Sequence, residues 1–318
     1  MGAPESGKST FLKHMRIIHK SDFSLEERLM FKPIVYANSI QSISLILHAV
    51  ERLGIDLDSE ESEYNAYVFY QLLEEQTSHS HTLVEDVKVT KDLAKVISQL
   101  WKDTGVQAAF LRSNEYNLSD CAKYFLDNVE RLGQNSYIPT TEDILHCRIK
   151  TSGIVEVKFF IKDMVFRIHD VGGQKSERRK WLYLFDCVHA VVFCVSLTEY
   201  AQKSGADINK MHESIKLFNM IANSRVFFDA SIVLFLNKTD LFAELCKRVP
   251  LTTAFPDYTG KRNYEESIEF VKARFKEQRK QEIFIHLLCA TDMTTVRSVC
   301  NSITDMLIKN FLKDCGIY

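Results

Sequence analysis

The sequence predicts an α/β fold into which a long all-helical stretch is set, and three observations carry that expectation. From about Thr10 to about Leu145 the apolar residues recur almost throughout at helical spacing. At about Val155 the period changes to strict alternation. Beyond that point short apolar runs alternate with helical stretches, which is how a mostly parallel sheet reads. A chain of 318 residues suits about two domains and is long enough to bury its own core without disulfides or a structural metal. With 46% hydrophobic residues, 11 Gly and 5 Pro, it is neither disordered nor collagen-like, and it leans toward helix.

The elements follow in order. Ser24-Leu25-Glu26-Glu27 is a capping-box pattern. After it Tyr36, Ile40, Ile43, Leu47 and Val50 line one helix face, and Pro33 is expected to kink that helix or to mark a later start. Further helical patches lie around Tyr67 to Leu73, Leu93 to Trp101 and Cys121 to Leu132, with polar loops at Asp56 to Ser62 and Thr77 to His81. Val155, Val157 and Phe159 alternate, Lys162-Asp163 turns, and Val165 to Ile168 returns: a hairpin. Ala190 to Val195, Ser231 to Leu236 and Ile283 to Leu288 read as short buried strands. Val299, Ile303, Met306, Leu307 and Phe311 mark one face of a terminal helix.

Composition excludes several classes. Lys and Arg number 40 against 42 Asp and Glu, a net charge of −2, so no nucleic-acid partner is expected. No apolar run approaches ~20 residues, so no membrane-spanning helix is expected, and the polar MGAPESGKST start does not resemble a signal peptide. The eight cysteines form no CxxC pair and no comb with histidine for zinc. They read as free thiols of a reducing compartment.

Four stretches carry chemistry. Gly2-Ala3-Pro4-Glu5-Ser6-Gly7-Lys8-Ser9-Thr10 fits GxxxxGK[ST], a loop whose backbone amides converge on phosphate oxygens at a helix N-terminus. Lys8 would reach the β and γ phosphates and Ser9 would ligate Mg²⁺. Pro4 removes one amide donor from that loop. Asp170-Val171-Gly172-Gly173-Gln174 ends the hairpin, where a carboxylate can reach Mg²⁺ through water, Gly173 can bring an N–H to a γ-phosphate and Gln174 can orient a water. Asn237-Lys238-Thr239-Asp240 follows a strand; its Asp can accept two N–H bonds from guanine, which adenine does not offer, while Asn237 and Lys238 brace the loop. Cys289-Ala290-Thr291 follows the next strand and can offer the Ala290 N–H to the guanine oxygen. The last three lie at strand carboxyl ends, where open α/β sheets bind ligands.

With these residues in place the chain resembles the α subunits of heterotrimeric G proteins over essentially its whole length. The stretches ESGKST, IVYANSIQSI, LWKDTGVQAAF, RIKTSGIVE, DVGGQKSERRKW, NKMHESIKLF, LFLNKTDLF, PLTTAFPDYTG and KNFLKDCGIY carry the likeness, and Cys315 four from the end resembles the Gi/Go class. The resemblance implies a Ras-like P-loop GTPase domain with an inserted all-helical domain, divided as residues 1–20 and 145–318 around 21–144. It implies GTP and GDP as ligands and Mg²⁺ as cofactor, held by Ser9 and Thr151. Nucleotide contacts would come from Glu5, Ser6, Gly7, Lys8, Ser9 and Thr10. Leu145, His146, Cys147, Arg148, Ile149, Lys150 and Thr151 would form the first switch, and Asp170, Val171, Gly172, Gly173 and Gln174 would open the second. Asn237, Lys238, Thr239, Asp240 and Ala290 would surround the base. Arg148 would be an arginine finger supplied in cis and Gln174 would position the hydrolytic water. An activation-dependent pair between Arg178 and Glu213, with Trp181 becoming more buried, is also expected.

Implied partners are a G-protein-coupled receptor at the C-terminal helix, a βγ dimer, effectors and GTPase-activating regulators. The chain departs from the family by lacking the lipidated helix and central strand that precede the phosphate loop. A fragmentary gene start would explain this, and it implies exposed strand edges and a weakened βγ contact. The implied location is cytoplasmic, at the inner face of the plasma membrane if the full-length protein has a lipidated N-terminus. Met1-Gly2 to Ser6 matches a myristoylation pattern, but Gly2 is already the first glycine of the phosphate loop. Pro4 stands where the family has Gly, Leu288 where it has Thr, and Lys175 where it has Arg. The expected function is a slow GTPase switch. The alternative is a truncated nucleotide-binding interaction module with impaired hydrolysis, which Pro4 and the missing strand favour. An ATP-dependent kinase is disfavoured by NKTD.

Overall fold

The two regimes of periodicity fold as two units in the computed structural model, which describes residues 1–78, 87–162, 164–184, 188–204, 208–314 and 316. One unit comprises Met1–Ser21 and Lys150–Tyr318, the other Asp22–Ile149. The division falls between Ile149 and Lys150 rather than at 144/145.

The helical unit is built on α2 (Leu25–Arg52), whose Ser24 cap accepts the Glu27 N–H while Glu27 accepts the Ser24 N–H. Tyr36, Ile40, Ile43, Leu47 and Val50 are all buried, as their spacing requires. Pro33 neither delays nor breaks the helix; it lies beyond the first turn, so one N–H is missing from a ladder that the buried face holds together. By length and composition α2 could cross a membrane, contrary to the sequence expectation, but 67% of its apolar window is buried inside the unit, which marks a core helix.

Around α2 stand α3 (Glu60–Ser78), α4 (Lys91–Lys102), α5 (Thr104–Leu111), α6 (Ala122–Asp127), α7 (Val129–Leu132) and α8 (Thr141–His146). They share one core that includes Val35, Phe69, Ile97, Phe125 and Cys147. Three expectations change. The loop placed at Asp56 to Ser62 ends earlier, because Glu60 already opens α3. The 121–132 patch divides at Asn128 into α6 and α7. The sequence reading missed α5 and α8, although Asp103 and Thr140 cap them. Of the loop expected at Thr77 to His81, Thr77 and Ser78 belong to α3 and the remainder lies outside the described residues.

The α/β unit opens with α1 (Lys8–His19). An antiparallel hairpin follows, β1 (Ile154–Ile161) with β2 (Met164–Val171), in register Ile161↔Met164 to Ile154↔Val171. Asp163 of the expected turn lies outside the described residues. The strands β3 (Ala190–Ser196), β4 (Ser231–Asn237) and β5 (Phe284–Leu288) form a parallel sheet in the order β3-β4-β5. Helices α9 (Lys210–Ala222), α10 (Thr239–Arg248), α11 (Tyr264–Lys276) and α12 (Met293–Asp314) complete the unit.

Among the described residues β2 and β3 do not pair with each other. Beside β3 runs the start of the chain: Met1 and Val192 bond through the amino group at 2.7 Å, the Cys194 N–H donates to the Met1 carbonyl, and Gly2 bridges Cys194 in parallel. One layer of the core packs α1 and α12 on the strands through Met15, Phe159, Cys194, Phe235, Val299 and Cys300. The other gathers Phe193, Phe218, Phe242 and Phe275 under α9 to α11. Phe311, expected on the buried face of the terminal helix, is exposed.

Candidate functional site

Every strand of the parallel sheet delivers its carboxyl end to the same region as the loop before α1. That loop turns through three residues of positive φ, Gly2, Glu5 and Gly7. Gly7 is the N-cap of α1 at φ 97°, with no side-chain cap and no acidic residue in the first turn. The helix start therefore presents free N–H groups and an unopposed positive dipole end, an arrangement suited to an anion. Gly7 is also required sterically: a Cβ there would stand 2.0 Å from Asn237 Nδ2. Asn237 uses that proximity. Its Nδ2 donates to the Ser6 carbonyl at 2.9 Å, and its Oδ1 accepts the Ala290 N–H at 2.9 Å. One buried amide thus ties the phosphate loop to the loop after β5.

The Lys8 ammonium lies in the hollow of its own loop, donating to the Ala3 carbonyl at 2.6 Å and more distantly to the Gly2 carbonyl and Ser6 Oγ. Burial lowers its pKa, and the nearby carboxyl groups of Asp170 and Glu199 work against that. Ser9 Oγ is the meeting point of three stretches. It donates to Asp170 Oδ2 at 2.6 Å, so the 2.7 Å contact with Thr151 Oγ1 is donated by Thr151. The residues expected to surround a divalent cation therefore meet, and all three offer oxygen, the donor that Mg²⁺ takes.

After β2 the chain passes close to the phosphate loop. A Cβ on Gly173 would lie 2.6 Å from the Gly2 carbonyl oxygen, so only glycine allows the approach. Val171, Gly172 and Gly173 are buried and Gln174 is exposed. Glu177, which the sequence reading did not single out, accepts the Gly153 N–H at 2.7 Å and joins the stretch after Thr151 to the stretch after Gln174. The Arg178–Glu213 pair is expected only on activation, and here each of the two residues has another partner. Lys175 takes Glu213 at 3.0 Å, while Arg178 Nε donates to the Gly173 carbonyl. Trp181 is already buried, its indole N–H on the Gly172 carbonyl at 3.0 Å.

On the base side, Lys238 adopts a left-handed conformation as the N-cap of α10, which sets Thr239 and Asp240 on the first turn. Thr239 Oγ1 approaches the Leu288 carbonyl and Asp240 is exposed. Ala290 is brought into this group, but its N–H, expected on a guanine oxygen, is engaged by Asn237. The reason is that Asn237 needs a second partner for its buried amide oxygen. Behind the loop lies Glu199, also missed from sequence. It accepts Ser214 Oγ, and burial pushes its carboxyl up to about 7.

Lys150 and Thr151 belong to the α/β unit, whereas Leu145, His146, Cys147, Arg148 and Ile149 belong to the helical unit. Leu145 and Cys147 are buried there, His146 stacks on Tyr124 at 3.9 Å, and Arg148 and Ile149 are exposed. The expected first switch is thus divided between the units. Cys315 lies outside the described residues.

Against this geometry the comparisons agree. A family model described as G-protein alpha subunit matches residues 1–307. The chain is 46% identical over 324 aligned residues to "Guanine nucleotide-binding protein G(o) subunit alpha" of Caenorhabditis elegans, covering 100% of this chain and 89% of that protein. It is 45% identical, with the same coverage, to the protein of that name from Locusta migratoria.

Proposed function

The chain belongs to the G-protein α-subunit family, and on that premise we propose how its residues divide the work of a guanine-nucleotide switch. Binding of GTP and GDP, hydrolysis of GTP and signal transduction downstream of G-protein-coupled receptors come with the family. The loop from Glu5 to Thr10 cradles phosphates with the N-terminus of α1, and Lys8 supplies the charge within it. Ser9 and Thr151 hold Mg²⁺ and Asp170 orders its shell. When bound, that cation neutralises charge on the β and γ phosphate oxygens.

Asp240 reads the guanine edge, and Asn237 keeps the Ala290 loop in register with the phosphate loop. Gln174 orients the attacking water, and Arg148 meets the charge of the transition state. The observation that carries this reading is the Ser9 hydroxyl held between Thr151 and Asp170.

Partners follow from the same premise. The receptor acts on α12, whose first residue follows the Ala290 loop closely, so a displaced helix would move the base loop. A βγ dimer, effectors and GTPase-activating regulators bind elsewhere. We place the protein at the cytoplasmic face of the plasma membrane where a lipidated N-terminal segment is present.

Competition binding tests the assignment. GTP and GDP are expected to displace a fluorescent GDP analogue while ATP does not, and Asp240→Asn is expected to shift preference toward xanthine nucleotides, because one acceptor becomes a donor. Equal affinity of the unaltered protein for ATP and GTP would overturn the reading.

A further inference from the structure

Arg148 is exposed, yet its backbone is fixed from the interior of the helical unit. Asn38, a residue on the buried side of α2 with only 9% of its surface exposed, makes two hydrogen bonds to it. Its Oδ1 accepts the Arg148 N–H at 2.7 Å, and its Nδ2 donates to the Arg148 carbonyl at 3.2 Å. A side-chain amide paired in this way with one residue's own N–H and C=O restrains both position and rotation of that residue. The Cys121 thiol also points at the Asn38 oxygen, at 3.8 Å.

The neighbouring residue is fixed as well. Cys147 is buried in the same core, and its N–H closes α8 on the Asp143 and Ile144 carbonyls. Asp143 is in turn fully buried and held by Arg131 through two bonds, by Tyr124 and Tyr137, and by the Thr140 N–H. An asparagine in a helix interior is a poor helix former, and burying its amide costs free energy unless every bond is made. No helix-stabilising role accounts for it, because both of its amide groups are turned on Arg148.

We propose that Asn38 is a positioning residue for GTP hydrolysis: it clamps the Arg148 backbone so that the guanidinium is delivered from a fixed base. This deepens the arginine-finger reading and rests on it. The clamp acts on placement, so its loss lowers the rate of the chemical step and leaves nucleotide binding alone.

The test is a double-mutant cycle on the full chain, with single-turnover GTP hydrolysis and GTP affinity as readouts. Asn38→Ala is expected to slow hydrolysis by about 10²-fold, the scale of an ångström-sized misplacement, with GTP affinity unchanged. In an Arg148→Cys background, itself slowed roughly 10³-fold or more, Asn38→Ala is expected to add nothing. Asn38→Asp keeps the acceptor for the Arg148 N–H and loses the donor to its carbonyl. A second acceptor oxygen then faces that carbonyl, so this variant should slow hydrolysis at least as much as Asn38→Ala with GTP affinity unchanged, and it decides the matter if Asn38→Ala does not fold.

A normal rate in both Asn38 variants would overturn the clamp, as would an equal fold-loss with and without Arg148. If Arg148→Cys alone leaves the rate unchanged, the arginine reading falls and the clamp with it. If only the Asn38 variants are silent, the clamp falls by itself.

Discussion

Glu199 shows how one buried carboxyl couples the base loop to pH. It is fully enclosed behind Lys238, and burial pushes its pKa from 4.5 to about 7, with the Ser214 hydroxyl and the charges of Lys238 and Lys210 opposing the rise. A folded-state value above the unfolded one means that the native protein holds the proton more tightly. The associated stability is complete below about pH 4.5 and is lost as pH rises through about 7. Glu199→Gln keeps an acceptor for Ser214 and cannot ionise. Its stability relative to the unaltered protein is expected to grow between pH 5 and pH 8, by at most about 3 kcal/mol at ~1.4 kcal/mol per pKa unit. Urea unfolding at the two pH values checks this; an identical difference at both would show that Glu199 does not titrate in that window. Nothing in the local sequence SLTEY marks this residue, because its burial comes from α9 and α10 folding over it.

At the scale of elements, end signals and apolar periodicity were legible and helix interiors were less so. The Ser24 box was read correctly because all of its partners lie within four residues. It makes a definite prediction: Ser24→Ala leaves the Glu27 N–H without its acceptor and should destabilise the protein by about 1 kcal/mol. An unchanged urea midpoint would mean that the first turn of α2 is frayed in solution. The similar box at Thr140 and Asp143 escaped notice because the helix it opens, Thr141–His146, is too short to show a period. The strands after Val155 were found from their apolar runs. Their grouping into a hairpin and a separate parallel sheet depends on contacts far apart in sequence. The Lys175–Glu213 pair is a similar case. Lys175 holds Glu213, while Arg178, three residues on, donates to the Gly173 carbonyl, and neither partner is shown by the local sequence.

At the scale of the whole molecule, the helical unit carries what an independent domain needs. It has its own core, and its entry is tied to the start of α8 near its exit: the Asp22 carboxylate accepts a bond from Arg28 at 2.7 Å and the Thr141 hydroxyl, which lies 2.7 and 2.8 Å from its two oxygens. A segment whose ends are joined in this way can be set into another domain without straining it. Residues 22–149 expressed alone are therefore expected to give a helical far-ultraviolet spectrum and one cooperative thermal transition. A broad, non-cooperative melt would show that the unit depends on the remainder of the chain.

The candidate nucleotide-binding stretches were legible in the sequence alone, because phosphate, metal and guanine each demand a particular donor or acceptor at short spacing. PESGKST, DVGGQ, NKTD and CAT carry those demands within a few residues, and the periodicity around them sets strand and helix. Tertiary structure alone decided which of these groups support one another. Asn237 joins the phosphate and base loops, Glu177 joins the stretches after Thr151 and Gln174, and Asn38 holds Arg148 across 110 residues of sequence. Such supports are single side-chain amides and a carboxylate, the Asn237 and Asn38 amides buried and Glu177 half-buried. Their chemistry is common to many surface positions, and only burial, which depends on the packing of distant elements, turns each into a fixed bond.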